Sequence, residues 1–297
     1  MRRASLIFNP VAGRHGGTAK APALVAILRA GGFEVAAVPT SGPGDGTRLA
    51  RESAAAGDEV VFAFGGDGTL REVAAGLLGT PTALGILPGG TTNVLARALG
   101  LPVDPFAAAR AAAHAKPWPI GVGLCSTAAG EKPFVMMVSA GLDAWLLAQV
   151  SPLLKRRLGR AGIGLQGIGA WWRYGYPAIE VEAGGRRSTA TFAAACNIEL
   201  YGGRFRLAPG ARADNGRLDL VLFRGTSRGA TLGFALALAG GRHLRRQDVE
   251  IVPIEGEIRL ALPPNAAAQI DGDALGTEPS LTLRLSAERL TVLAPGP

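Results

Sequence analysis

Three short segments of this chain combine glycine with small polar residues in a way that suits an anion: NPVAG at 9–13, GGDGT at 65–69 and PGGTTN at 88–93. Glycine lets consecutive main-chain N–H groups point into one concavity, and a helix starting just afterwards adds the positive potential of its free N–H groups. Phosphate is the natural occupant. One acid, Asp67, stands inside the tightest turn, flanked by Gly65, Gly66 and Gly68. A carboxylate there repels a phosphate unless it holds a cation or meets an incoming hydroxyl, so its position points to chemistry. The competing reading is an Asx turn or helix cap. None of the three turns reads as G-x-x-x-x-G-K-[ST] or G-x-G-x-x-G, which argues against a P-loop enzyme and a dinucleotide-dependent dehydrogenase.

Each turn needs regular structure to hold it. ASLIF (4–8) has the composition of a short buried strand, and APALVAILRAGG has helical spacing with a glycine stop at Gly31. FEVAAVPT predicts the next strand, residues 46–56 a helix, EVVFAF a strand, 70–78 a helix, ALGILPGG a strand and TNVLARALG a helix. Asp104 and Pro105 form an N-cap and first-turn pair for FAAARAAAHA. Strands alternating with helices imply a parallel sheet, and ligands bind such sheets at the carboxyl ends of the strands, where all three turns fall.

After KPWPI the pattern changes to closely spaced strand-like segments, from VGLC near residue 119 to LTLRLSAERLTVL near the end, interrupted by helical stretches at about 144–176, broken at Ser151 and Pro152, and 229–244. Two domains are expected, residues 1–118 and 119–297, the second mainly antiparallel. Apolar residues make up 48% of the 297, ample for a core, yet no run approaches the roughly 20 needed to cross a bilayer. The start, MRRASLIFNP, lacks a signal-peptide pattern, so a cytoplasmic location is expected. Cys125 and Cys196, far apart in apolar surroundings, fit neither a zinc site nor a disulfide framework. A formal charge of +8 calls for an anionic partner. Nucleic acid is not expected: aromatic residues are 6% of the chain and no nucleic-acid module is present.

NPVAG, GGDGTLREV and LPGGTTNVLARALG resemble the nucleotide-binding signatures of the diacylglycerol kinase catalytic-domain family, which includes bacterial lipid kinases and the sphingosine and ceramide kinases. The likeness continues in NIELYGGRFRLAPGARADNGRLDLVLF (197–223) and QIDGDAL (269–275), so it covers almost the whole chain in the right order. It implies an α/β N-terminal nucleotide-binding domain with a parallel sheet like that of NAD kinases and phosphofructokinases. It also implies a β-rich C-terminal domain for the lipid substrate, with the extreme C-terminus able to return to the first domain. ATP and Mg²⁺ are the implied cofactors. Carried over by position, Asn9, Pro10 and Gly13 help to form the nucleotide site, Thr40 lies near the base or ribose, and Gly65, Gly66, Asp67, Gly68 and Thr69 wrap the phosphates. Gly90 and Thr91 contact phosphate or sugar, and Asn93 braces the turns.

By the same resemblance, Asp271 takes the proton of the acceptor hydroxyl, Asp273 reaches ribose or metal through hydrogen bonds, and Asp67 supports metal and acceptor; some relatives give the base role to the GGDG aspartate instead. One departure stands out. Where bacterial relatives hold a structural Mg²⁺ with a second acid and main-chain carbonyls, this chain has Asn215, with Arg212 and Arg217 as carbonyl donors, and loss of formal charge weakens a hard-cation site. Lys155, Arg156 and Arg157, with Trp171 and Trp172, mix basic and aromatic residues as an anionic membrane surface requires. The leading expectation is therefore an ATP-dependent lipid kinase, peripheral at the inner membrane face, acting on diacylglycerol. A ceramide, sphingoid or phosphatidylglycerol kinase, a soluble-acceptor kinase such as one for NAD, and an idle nucleotide- or lipid-binding regulator are the alternatives.

Overall fold

The computed structural model describes residues 1–13, 16–149, 169–264, 266–276 and 278–295. Strands β1 (Arg2–Phe8), β2 (Phe33–Pro39), β3 (Val60–Gly65) and β4 (Ala83–Pro88) pair in parallel in the order β2-β1-β3-β4. Helices α1 (Gly17–Ala30), α2 (Asp45–Ala55) and α3 (Asp67–Leu77) connect them, and α4 (Val94–Ala98) and α5 (Pro105–Ala112) follow. Every residue of β3 and of β4 is buried, the continuous apolar run expected of central parallel strands covered on both faces. Asp104 caps α5, its carboxylate accepting from Ala107 N–H at 2.8 Å, with Pro105 in the first turn. Helix α3 starts three residues earlier than the apolar spacing predicts, which puts Asp67 in its first turn.

Next come β5 (Lys116–Thr127), β6 (Gly130–Phe134), β7 (Met137–Gly141), helix α6 (Leu142–Gln149), β8 (Ile179–Ala183), β9 (Arg186–Ala190), β10 (Phe192–Cys196), β11 (Leu200–Tyr201), β12 (Phe205–Arg206) and β13 (Leu218–Phe223). Helix α7 (Arg228–Ala239), capped by the Ser227 hydroxyl, leads through a 3₁₀ turn at His243–Arg245 to β14 (Val249–Ile254), β15 (Ile258–Ala261), β16 (Ala268–Ile270), β17 (Asp273–Gly276) and β18 (Ser280–Ala294). Six of these form an antiparallel sheet, β14-β13-β10-β7-β16-β17. The expected helix over 144–176 is represented by α6 and a helical turn at 169–173; the part between lies outside the described residues.

The division at 118/119 falls inside a strand. KPWPI, read as the end of the first domain, is the start of β5, which runs antiparallel along β18 from Lys116↔Ala294 to Ser126↔Thr282. The far end of β18 also pairs in parallel with β4 through Val292↔Leu84 and Leu293↔Gly85, so one ten-stranded sheet spans both halves. Sequence pattern could not reveal this because β18 pairs with segments about 200 residues away. A single apolar cluster likewise joins Val61 and Leu84 to Cys196 and Val221 through Ile120 and Leu290.

Leu293, 2% exposed, is a seam residue of that sheet. Leu293→Ala should cost about 2–5 kcal/mol in urea denaturation. Far-UV dichroism and tryptophan fluorescence, which reports only on residues from Trp118 onward, should shift together, because both halves share the strand.

Candidate active site

The parallel ladder continues one step past the strands. Thr40 N–H donates to Phe8 O at 2.9 Å, Asn9 N–H to Phe64 O at 3.0 Å and Gly89 N–H to Gly65 O at 2.7 Å. These bonds hold the four strand ends side by side. A methyl group on Gly90 would lie 2.7 Å from Gly66 Cα, so the second and third turns touch backbone to backbone only because residue 90 is glycine. The Asn93 side chain closes the third turn: its Oδ1 accepts from Gly90 N–H at 2.8 Å and its Nδ2 donates to Gly90 O at 3.0 Å. Thr69 packs so close to Gly65 that a Cβ there would overlap it at 2.5 Å, Thr91 is exposed beside Gly90, and Pro10 accepts from Gly17 N–H at 2.7 Å to close the first turn.

Asp67 ties the second turn to the third. Its carboxylate accepts from Val94 N–H at 2.9 Å and from the Thr92 hydroxyl at 2.9 Å, which caps α4, while burial holds its pKa above the usual carboxylate range.

Asp271 sits between β16 and β17 with φ of 50°. Its carboxylate accepts from three consecutive main-chain N–H groups, Val135, Met136 and Met137, at 2.8–2.9 Å. Burial outweighs those donors and pushes its pKa up to about 6. The neighbouring Asp273 receives the Arg71 guanidinium at 2.7 Å, and Arg71 also donates to Ile270 O at 3.0 Å. Arg71 belongs to α3, so this pair lays the IDGD turn over the GGDGT turn: a Cβ on Gly68 would lie 3.5 Å from Asp273 Oδ2.

Asp67 and Asp271 therefore line one cavity of about 320 Å³, with Thr92, Met137, Tyr201, Gln269 and a third acid, Asp143. Asp143, in the first turn of α6, accepts from the Ser139 hydroxyl at 2.6 Å, and burial raises its pKa. It also lines a second, apolar cavity of about 190 Å³, whose walls include Leu146, Phe192, Phe223, Phe234 and Leu238. Asp143 and Tyr201 are common to both, so a polar cavity and an apolar one adjoin at this point. Burial raises the Tyr201 hydroxyl pKa well above normal.

Sequence reasoning missed Asp143, Tyr201, Arg71 and Lys20. Lys20 lies in the first helical turn after NPVAG, its ammonium 3.2 Å from where a Gly13 Cβ would stand, and a basic residue one turn past a glycine loop was its available signal. Arg71 stood inside the quoted GGDGTLREV segment, but its partner lies 202 residues away.

The Asn215 region does not suit a structural cation. Asn215 Oδ1 already accepts from Arg217 N–H at 3.2 Å, and the Arg289 guanidinium points at the carbonyls of Asp214 and Pro119 at 3.4 and 3.5 Å. Arg212 holds both oxygens of Asp214 and keeps that carboxyl below its usual range. Among the described residues no group of three His, Cys, Asp or Glu is placed to hold a metal. Lys155, Arg156 and Arg157 lie outside the described residues; Trp171 is half-buried and Trp172 is 62% exposed.

Comparison with known proteins follows this geometry. Residues 3–125 match the diacylglycerol kinase catalytic domain family, and 136–294 match the YegS C-terminal NAD kinase beta sandwich-like domain. Probable YegS-like lipid kinases are 37% identical in Chromohalobacter salexigens, over 66% of this chain and 64% of that protein, and 33% identical in Pseudomonas putida, over 82% and 83%. The Bacillus subtilis diacylglycerol kinase is 27% identical over 94% and 92%. A crystal structure of a diacylglycerol kinase from Bacillus anthracis superposes with a TM-score of 0.78 at 23% identity over 99% and 97% of the two chains. An Archaeoglobus fulgidus NAD kinase solved with ATP shares the fold at a TM-score of 0.55 and 11% identity over 99% and 94%.

Asp271→Asn should lower stability by about 1–3 kcal/mol, because an amide NH₂ would face main-chain donors that now meet an acceptor. The linkage has a definite sign. With a folded pKa of about 6 against an ordinary 3.8, the carboxyl's contribution is fully present below pH 3.8 and lost as pH rises through about 6. Urea denaturation across that window should therefore show a falling slope in wild type that flattens in the variant.

Proposed function

We propose, from the premise that this chain belongs to the diacylglycerol kinase catalytic-domain family and is a lipid kinase, that it transfers the γ-phosphate of ATP to a hydroxyl of a membrane lipid such as diacylglycerol. The observation that carries this reading is one cavity lined by Asp67 and Asp271, flanked by phosphate-sized glycine turns and adjoining an apolar cavity at Asp143 and Tyr201. A soluble acceptor needs no apolar cavity there.

In this reading Asn9, Pro10, Gly13, Gly65, Gly66, Gly68, Thr69, Gly90, Thr91 and Asn93 receive the phosphates and sugar, and Thr40 lies near the base. Lys20 adds a cation to the same cluster. The acceptor hydroxyl approaches from the apolar side. Its oxygen bonds to the γ-phosphorus as the bond from phosphorus to the β,γ-bridging oxygen breaks; ADP leaves, and the proton passes late to a carboxylate. Asp271 is that base, since a pKa near 6 leaves it ionised but still basic at neutral pH. Asp67 would hold the Mg²⁺ that accompanies ATP, and that ion would neutralise phosphate charge. Asp273, turned toward Gly68, would reach the same nucleotide. The net charge of +8 suits work at an anionic surface, the cytoplasmic face of the inner membrane.

Labelled phosphate from ATP and Mg²⁺, offered in mixed micelles to diacylglycerol, monoacylglycerol, phosphatidylglycerol, ceramide, sphingosine and NAD, tests the reading. One lipid should be labelled, with the rate falling about 10²–10⁴-fold in Asp67→Asn and Asp271→Asn. The rate should rise with pH through about 6 in wild type, and Asp271→Asn should lose that limb. Gly90→Ala, which drives a methyl onto Gly66, should weaken ATP binding by about tenfold in calorimetry. Label on NAD alone, or on nothing despite ATP binding, would overturn the lipid assignment.

A further inference from the structure

Helix α7 presents apolar residues on two sides. Phe234 and Leu238 line the apolar cavity, whereas Leu232 and Leu236, one turn apart, are 50% and 65% exposed. Ala235 belongs to both: it lines the cavity and is itself exposed, so the cavity opens beside the exposed leucines.

The patch extends beyond both helix ends. At the N-terminal end the Arg228 guanidinium stacks 4.3 Å over the exposed Trp172 ring and donates to the Trp172 carbonyl, fixing that indole against α7. Past the C-terminal end the exposed Leu244 stands between exposed Arg242 and Arg245. Arg246 anchors this turn to the helix, donating to Ala230 O at 3.4 Å and covering Gly233, where a Cβ would meet it at 2.7 Å. Residues 169–179 and 225–247 contain no aspartate or glutamate. Just beyond, Asp248 is paired with Arg246, so the exposed charge beside these apolar side chains is that of Arg228, Arg242 and Arg245, a mixture that suits an interface with anionic lipid.

We infer that the outer face of α7, with Trp172, Leu232, Leu236 and Leu244 inserted and Arg228, Arg242 and Arg245 at headgroup level, docks on an anionic bilayer and aims the mouth at Ala235 into it. The occupant is a lipid surface because of two features: the exposed charges beside the leucines, Arg228, Arg242 and Arg245, are cationic, and the face is continuous with an apolar cavity that a hydrocarbon chain could enter without crossing water. The docking face rests on the lipid-kinase reading only for its purpose; binding to vesicles needs neither nucleotide nor turnover.

Vesicle flotation without ATP, comparing phosphatidylcholine alone with phosphatidylcholine containing phosphatidylglycerol, tests it. Wild type should float with the anionic vesicles, and added salt should release it. Leu232→Glu with Leu236→Glu should weaken partitioning by at least about tenfold, the loss expected when two half-exposed leucines no longer leave water. Arg242→Gln with Arg245→Gln should weaken it for anionic vesicles only. Brominated acyl chains should quench wild-type fluorescence more than that of Trp172→Phe. Phosphorylation of a short-chain diacylglycerol dispersed as monomers should be unchanged in the leucine variants, which separates failure of docking from failure of the kinase reading. Unaltered flotation in the leucine variants would overturn the inference. So would a dimer in sedimentation that those substitutions dissolve while no vesicle binding occurs, since the face would then belong to a second copy.

Discussion

Strand β18 is the constraint on which the site depends. Its end pairs in parallel with β4 while its length runs antiparallel to β5, so the last strand of the chain is inserted between segments from the first half. Pairing of this range is costly in chain entropy and must be offset by burial along the whole strand. Leu281, Leu283, Leu290, Val292 and Leu293 supply it. With the halves fixed, the turn after β16 comes to rest on the turn after β3, and Arg71 pins the contact by holding Ile270 O and Asp273 together.

The same closure sets the electrostatics. Three carboxyls, Asp67, Asp143 and Asp271, face one cavity, and burial raises the pKa of each. Main-chain N–H groups and hydroxyls hold all three in place, so their positions are fixed before any ligand arrives. The opposite charge lies on the other side of the glycine turns, at Lys20 and the N-terminal end of α3.

Much of this was legible in the residues. The alternation of strands and helices in the first half, the cap at Asp104 and the convergence of the three glycine turns follow from local spacing, because each depends on neighbours within a few residues. Asp67 caps α4 across the gap between turns and also lines the candidate cavity. Illegible were the features that depend on distant pairing. KPWPI read as the end of the first domain because its partner on β18 lies at the other end of the chain. Asp143 stood just before the helix expected from about residue 144 and carried no motif, and only folding places it beside Ser139 and Gln269. The Arg289 guanidinium against Asp214 O was equally invisible, although the loss of an acid at Asn215 signalled that this region departs from its relatives.

The most direct measurement is a crystal structure with Mg²⁺ and a non-hydrolysable ATP analogue. The account predicts phosphates bound by the turns at Gly13, Gly66 and Gly90, with the terminal phosphate directed into the cavity between Asp67 and Asp271. A nucleotide bound elsewhere, or one whose terminal phosphate points away from both aspartates, would contradict it.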